Sequence, residues 1–428
     1  MRKTHAQPSS LLRDFAWVGG LQGIWMVLPL LTLPYLYTVL GEARFGALMI
    51  AQALNGLFSV VADFGFHSYW TREWVRTAAD DRPGLVSGVQ WARFGLSLVL
   101  ALPFFGIVYA VPAYREFALL FGLSYLFVPA NSSLPIGVFQ GMGRFAEINI
   151  AQSLQRMVYT VLVFALVRKP EHDWLVPVFS AICVASVGVW SWWRLSRLGL
   201  NRIQFSGVAV MRSLRESAGL FWISAANASF AQAPILMIGA FQPASVVSAY
   251  AFVDKFILAI KLGIQALGTV LLPRLSRRWS QEGTMVRGPE LYRAGMGSLG
   301  LYALFLLVFG AYLFLGRAWL SGVLGPAFVP MLIASAGIPL LFAYRHLAEV
   351  AQIARGNARS YARTAVAISL IQWGLTALGT QKGGWGWVLG TVYAVEVVLL
   401  IQSILELRKT HPEPPASDTA RDVSNLRE

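Results

Sequence analysis

Eight charged side chains fall inside apolar stretches of this chain, where an ionised group is costly and usually faces a partner or a cavity. The cations are Arg156, Lys255, Lys261 and Arg345, and the anions are Asp63, Asp254, Glu349 and Glu396. Spacing groups several of them with neutral polar residues. Asn55, Ser59, Asp63 and His67 recur every four residues and form one slowly turning stripe on a helix. Asp254, Lys261 and Gln265 follow at steps of seven and four, again on one face. Asn149, Gln152 and Arg156 keep helical spacing, Asn227 lies close to Gln232, and Arg345, His346 and Glu349 cluster on a further stretch. Cations set among amides and hydroxyls suit an anionic ligand with an uncharged, hydroxyl-rich body.

Plainer readings stand beside this one. Asp254 with Lys255, and Arg345 with Glu349, also read as local ion pairs that only fix packing. Arg156 also reads as a side chain reaching to a membrane interface. His67 and Arg93 lie close to the ends of their stretches and also read as interfacial or topological residues. Lys261 resists such a reading, because Ile260 and Leu262 flank it and no acid lies three or four residues away. Glu396 stands alone in its stretch and receives no role.

The elements that carry these residues are long and apolar. A helix needs about 20 mostly apolar residues to cross a bilayer. Twelve stretches approach or meet that length, and they are numbered here as spans 1 to 12: 12–40, 45–70, 85–111, 115–140, 147–168, 174–195, 214–240, 245–272, 294–316, 327–350, 360–380 and 385–407. The chain of 428 residues is 56% hydrophobic and 13% charged, with a mean hydropathy of +0.57. A soluble domain carries about 25% charged residues, so lipid is the expected solvent. The net charge of +14 reads as topology rather than nucleic-acid binding, since basic residues gather on cytoplasmic loops. With the N-terminus inside, 25 of the 35 Lys and Arg fall on inner segments and 6 on outer ones. Both termini are therefore expected in the cytoplasm. Cys183 is the single cysteine and forms no internal disulfide. The first apolar run is too long for a cleavable signal peptide and is expected to act as its own insertion signal.

Both halves hold six spans and overlay at a shift of 202 residues, which places Gln52, Ser59 and Asp63 on Asp254, Lys261 and Gln265. An even number of spans per half gives a parallel repeat. Spans 2 and 8 are thus expected to face each other across a cleft between halves. Pro29 and Pro34 offer span 1 a hinge, since proline removes a helical hydrogen bond. The expected organisation is an N-terminal six-helix bundle over 1–200, a second over 201–408, and a disordered cytoplasmic tail over 409–428.

Three short motifs carry a resemblance. Leu40-Gly41-Glu42-Ala43-Arg44-Phe45-Gly46 is similar to a Leu-Gly-x-x-x-Tyr/Phe-Gly turn. Ala62-Asp63-Phe64-Gly65-Phe66 followed by Thr71-Arg72-Glu73, and Leu272-Pro273-Arg274-Leu275-Ser276, resemble Asp-x-Gly-Phe…Arg-Glu and Pro-Arg-Ile-Ser elements. Together with twelve spans in two halves, they resemble the Wzx-type polysaccharide and O-antigen flippases of the multidrug/oligosaccharidyl-lipid/polysaccharide (MOP) exporter superfamily. The resemblance covers roughly residues 10–407. It implies an all-α polytopic membrane fold of two pseudo-symmetric six-helix bundles and no enzymatic activity. It further implies transfer of a polyprenyl-pyrophosphate-linked oligosaccharide across the bacterial cytoplasmic membrane by alternating access, for O-antigen, capsule or exopolysaccharide synthesis.

By that resemblance, spans 1, 2, 7 and 8 line the cleft. Lys261, Lys255, Arg345 and Arg156, with Asn55, Asn227 and Gln265, would hold the pyrophosphate and sugars. Asp63, His67 and Asp254 would couple transport to H+ or Na+, with no cofactor and no metal site. The implied partners are the lipid-linked oligosaccharide, membrane lipids and the polysaccharide polymerase machinery, with no nucleic acid. Two rivals remain: a MATE-like drug/cation antiporter, which relies on acidic cleft groups, and a membrane sugar polymerase or ligase, which needs a larger outer loop.

Overall fold

Gly41 interrupts what is otherwise one helical run, Leu11–Asp63, and makes it two spans. Its backbone (φ 75°, ψ 170°) lies in a region essentially reserved for glycine. The last long run, Ala358–Arg408, is divided the same way at Gly384 (φ 58°, ψ −151°), giving spans 11 and 12. The structure is a computed structural model. It describes residues 11–200, 205–282, 327–354 and 358–408, with scattered positions between 296 and 310. Span 9 falls largely outside the described residues, and the tail over 409–428 falls wholly outside them.

The described residues contain helices and turns and no strand. Span 2 continues past a break into Phe66–Arg76. Span 3 is Arg82–Val99 with Ala101–Ala110. Span 4 is a chain of short helices, Ala118–Tyr125, Phe127–Ser132 and Ile136–Gly141. Spans 5 and 6 are Phe145–Leu166 and Leu175–Arg197. Spans 7 and 8 are Gly207–Phe241 and Ala244–Glu282, and span 10 is Phe328–Ser335 with Ile338–Ala354. The helix of span 1 continues through both Pro29 and Pro34, so its sharp break is at Gly41.

Six stretches among the described residues are long and apolar enough to cross a membrane, and a seventh if the bent span 7 counts as one. Span 5 is absent from that set. It carries Gln152, Gln155 and Arg156, so its apolar character is diluted by the residues that turn inward. The outward surface of other spans is apolar, as lipid contact demands: Leu102, Leu119 and Leu378 are exposed while Asn55, Arg345 and Glu396 are buried.

The two halves meet at two levels. Near Gly41, the Ser248 hydroxyl donates to the Glu42 carbonyl at 3.1 Å. Phe45 stacks on Phe252 with ring centroids 5.2 Å apart. The Gln242 side chain donates to the Thr380 carbonyl at 2.8 Å, so the Gly41 and Gly384 turns share this face. At the opposite face, span 7 reaches the first half. Phe64 stacks on Phe221 at 4.5 Å, and the Tyr69 hydroxyl donates to Glu216 Oε2 at 2.8 Å. Gly88 lets span 3 touch span 7, since a Cβ there would sit 2.9 Å from that of Ala209. Small residues take this role in membranes because lipid leaves close van der Waals approach as the main source of helix association.

Candidate functional site

Between those two levels lies a cavity of about 540 Å³. Its walls come mainly from spans 1, 2, 4, 5 and 6, and among the described lining residues Gln232, Lys255 and Leu258 come from the second half. The cleft expected midway between spans 2 and 8 is thus recessed into the first half, and spans 7 and 8 close its side. The reason is local. Span 5 places Gln152, Gln155, Arg156 and Tyr159 at steps of three, one and three, which is one helical face, and that face lines the cavity. Opposite it, span 2 contributes Gln52 and Asn55, and span 4 contributes Asn131.

The cavity is therefore cationic and amide-rich. Arg156 and Lys255 supply positive charge, and no Asp or Glu lies among the described lining residues. Asn55 is buried. Its amide Nδ2 donates to the Ser124 carbonyl at 2.8 Å, and its Oδ1 has no hydrogen-bond partner among the described residues. Carboxamides both donate and accept, so such a wall matches hydroxyl groups, while the two cations match an anion.

Lys261 and Arg345 belong to a different assembly. Lys261 Nζ lies 3.0 Å from Glu396 Oε1, and Arg345 Nε lies 2.6 Å from Glu396 Oε2. Arg345 also pairs with Glu349 at 3.3 Å, and His346 faces the same Glu349 oxygen at 3.3 Å. Both cations lie over the Phe342 ring, at 4.8 and 4.9 Å from its centroid. Among the described residues, two cations share two carboxylates on spans 8, 10 and 12, so each cation has an acid of the second half beside it. Neither cation lines the cavity.

Asp63 has a similar fate in the first half. Its Oδ1 lies 3.1 Å from Arg93 Nη2. Arg93, counted above as a basic residue of an inner segment, is in fact buried. It donates to the Leu134 carbonyl at 2.5 Å and the Asn131 carbonyl at 3.5 Å, and lies over Trp70 at 5.3 Å. The backbone breaks directly after Asp63, with positive φ at Phe64 (45°) and Gly65 (76°). The His67 backbone N–H reaches Asp63 Oδ2 at 3.4 Å.

The ten residues singled out in the sequence are thus dispersed. Asn55, Arg156 and Lys255 meet at the cavity. Asp254 lies 4.0 Å from Lys255, at the edge of ion pairing. Lys261 and Arg345 join Glu396, and Asp63 and His67 sit with Arg93. Asn227 and Gln265 are exposed and do not line the cavity. Sequence reasoning passed over Gln155 and Asn131 at the cavity and Glu396 as the hub of the second cluster. Gln155 was visible in the pattern, one residue before Arg156 on the same face. Nothing local signalled the partners of Glu396.

Residues 11–279 match the family profile described as "Polysaccharide biosynthesis protein", well over half the chain. The chain belongs to the polysaccharide biosynthesis protein family. A "Putative O-antigen transporter" of Escherichia coli (strain K12) is 28% identical over 165 residues, which cover 37% of this chain and 39% of that relative. A protein of the same name from Shigella dysenteriae is 21% identical over 306 residues, covering 69% of this chain and 72% of the relative. The fold is similar to that of lipid II flippase MurJ in an inward closed conformation, with a TM-score of 0.70 at 13% identity over 93% of this chain and 88% of that one. It is also similar to an inward-facing multidrug resistance MATE family transporter of the MOP superfamily, with a TM-score of 0.59 at 15% identity over 91% and 94% of the two chains. This family member therefore has the two-lobed helical fold of the MOP transporters and is a multi-pass membrane protein.

Proposed function

We propose that this protein is a flippase that carries a polyprenyl-pyrophosphate-linked oligosaccharide across the bacterial cytoplasmic membrane by alternating access, for surface polysaccharide synthesis. The observation that carries this reading is the cavity: Arg156 and Lys255 among carboxamides and hydroxyls, with no carboxylate in the described lining. A diphosphate is matched by the two cations and its sugars by the amides, while the polyprenyl tail stays in lipid. Membership of the polysaccharide biosynthesis family and the names of its relatives support the same substrate class.

A MATE-like antiporter for cationic drugs shares the fold. The cavity argues against that reading, because a cationic drug would meet Arg156 and Lys255 and no Asp or Glu among the described lining residues. In the proposed orientation both termini are cytoplasmic and the Gly41 face is outside, following the basic-residue bias. Coupling to H+ or Na+ would act through Asp63, and the ion must then displace Arg93 from its carboxylate.

The test is deletion of the gene, followed by analysis of surface polysaccharide and lipid-linked intermediates. Cells should lose the polymer and accumulate the lipid-linked oligosaccharide, and the wild-type gene should restore both. Unchanged polymer together with a loss of ethidium efflux would replace the flippase reading with the antiporter.

A further inference from the structure

The face of span 5 that lines the cavity carries more than a cation. Gln152, Gln155 and Tyr159 surround Arg156 at helical spacing. Across from them stand Gln52 and Asn55 of span 2. Among the described residues no hydrogen bond engages the carboxamides of Gln152 or Gln155, and the Oδ1 of buried Asn55 has no partner. Polar groups held at membrane depth in this way are expensive unless a ligand or water completes them.

The chemistry of these groups separates two parts of a headgroup. A diphosphate presents acceptors only. It is served by Lys255 and Arg156, whereas the carbonyl half of a carboxamide repels it. A sugar ring presents hydroxyls that both donate and accept, which is the complement of an amide. Resting on the flippase reading, the geometry points to Gln152 and Gln155, with the Asn55 carbonyl oxygen opposite, as the residues that read the sugar. Lys255 answers the diphosphate whatever sugar it bears. Selectivity among glycans then resides in the first half, on span 5, while the second half contributes charge through Lys255.

Binding by the purified full-length protein tests this with two probes: undecaprenyl diphosphate alone, and the lipid-linked oligosaccharide extracted from the deletion strain. Removal of paired hydrogen bonds in a desolvated site costs about 1.5 kcal/mol, or roughly tenfold in affinity. The Gln152→Ala/Gln155→Ala double variant should lose roughly tenfold for the sugar-bearing lipid and keep its affinity for the bare diphosphate. Gln155→Leu keeps the volume, removes both hydrogen-bonding groups, and should show a smaller loss of the same kind. Lys255→Gln should weaken both probes alike. Equal weakening of both probes by the glutamine variants, or no weakening of either, overturns the assignment. Wild-type protein that binds neither probe overturns the flippase reading itself, which is a separate outcome.

Discussion

Lys261 Nζ lies 3.0 Å from Glu396 Oε1, across a separation of 135 residues, and the contact ties span 8 to span 12. Arg345 completes the other oxygen of the same carboxylate at 2.6 Å. The most conspicuous intramembrane lysine of the sequence is therefore a brace of the second half. Its removal and the removal of a cavity cation should have different consequences.

Glu396→Gln leaves Lys261 and Arg345 side by side, with Glu349 the acid that still pairs with Arg345 among the described residues. Breaking a buried ion pair costs roughly 3–5 kcal/mol. Lys261 retains 22% side-chain exposure, which moves the expected cost to the lower end. Thermal unfolding in detergent should show a clear drop in midpoint, and membrane levels should fall. An unchanged midpoint would remove the bracing role.

Arg156→Gln and Lys255→Gln should behave in the opposite way. Both line a cavity and leave the Glu396 cluster intact. Surface polysaccharide should be strongly reduced while the amount and midpoint of the protein stay near wild type. Normal polymer in both variants would exclude these cations from the transport step.

Tyr69→Phe removes the hydrogen bond to Glu216 that links span 2 to span 7 at the face opposite Gly41. Glu216 is partly exposed, so the expected effect is about 1 kcal/mol, a several-fold shift toward the state in which these spans part. Alkylation of a cysteine placed at Ser180, which lines the cavity, reads this out in a Cys183→Ser background. The labelling rate should rise several-fold, and an unchanged rate would show that this bond does not hold the face shut.

Gly41→Ala tests the turn between spans 1 and 2. A Cβ at Gly41 meets nothing within 4 Å, so the expected penalty is backbone strain alone, about 1–3 kcal/mol. Gly384→Ala, at the turn between spans 11 and 12, should cost a similar amount. Midpoints equal to wild type for both would show that the turns relax to conformations open to alanine.

The all-helical membrane fold, the glycine turn at Gly41 and the helical face holding Gln152 and Arg156 were all legible in the sequence. Each depends on composition or on spacing within one helix, and helical geometry alone decides which neighbours share a face. The burial of Arg93 was not legible, because its position near one end of span 3 says nothing of the Asp63 carboxylate and the carbonyls of Leu134 and Asn131 that enclose it. Lys261 was assigned to a cleft because its own helix offers no acid within a turn, yet Glu396 waits on another helix. Local periodicity fixes the direction of a side chain relative to its own axis. The partner it meets depends on how helices far apart in the chain pack, and only the tertiary structure decided that Arg156 and Lys255 face a cavity while Lys261 and Arg345 neutralise a carboxylate.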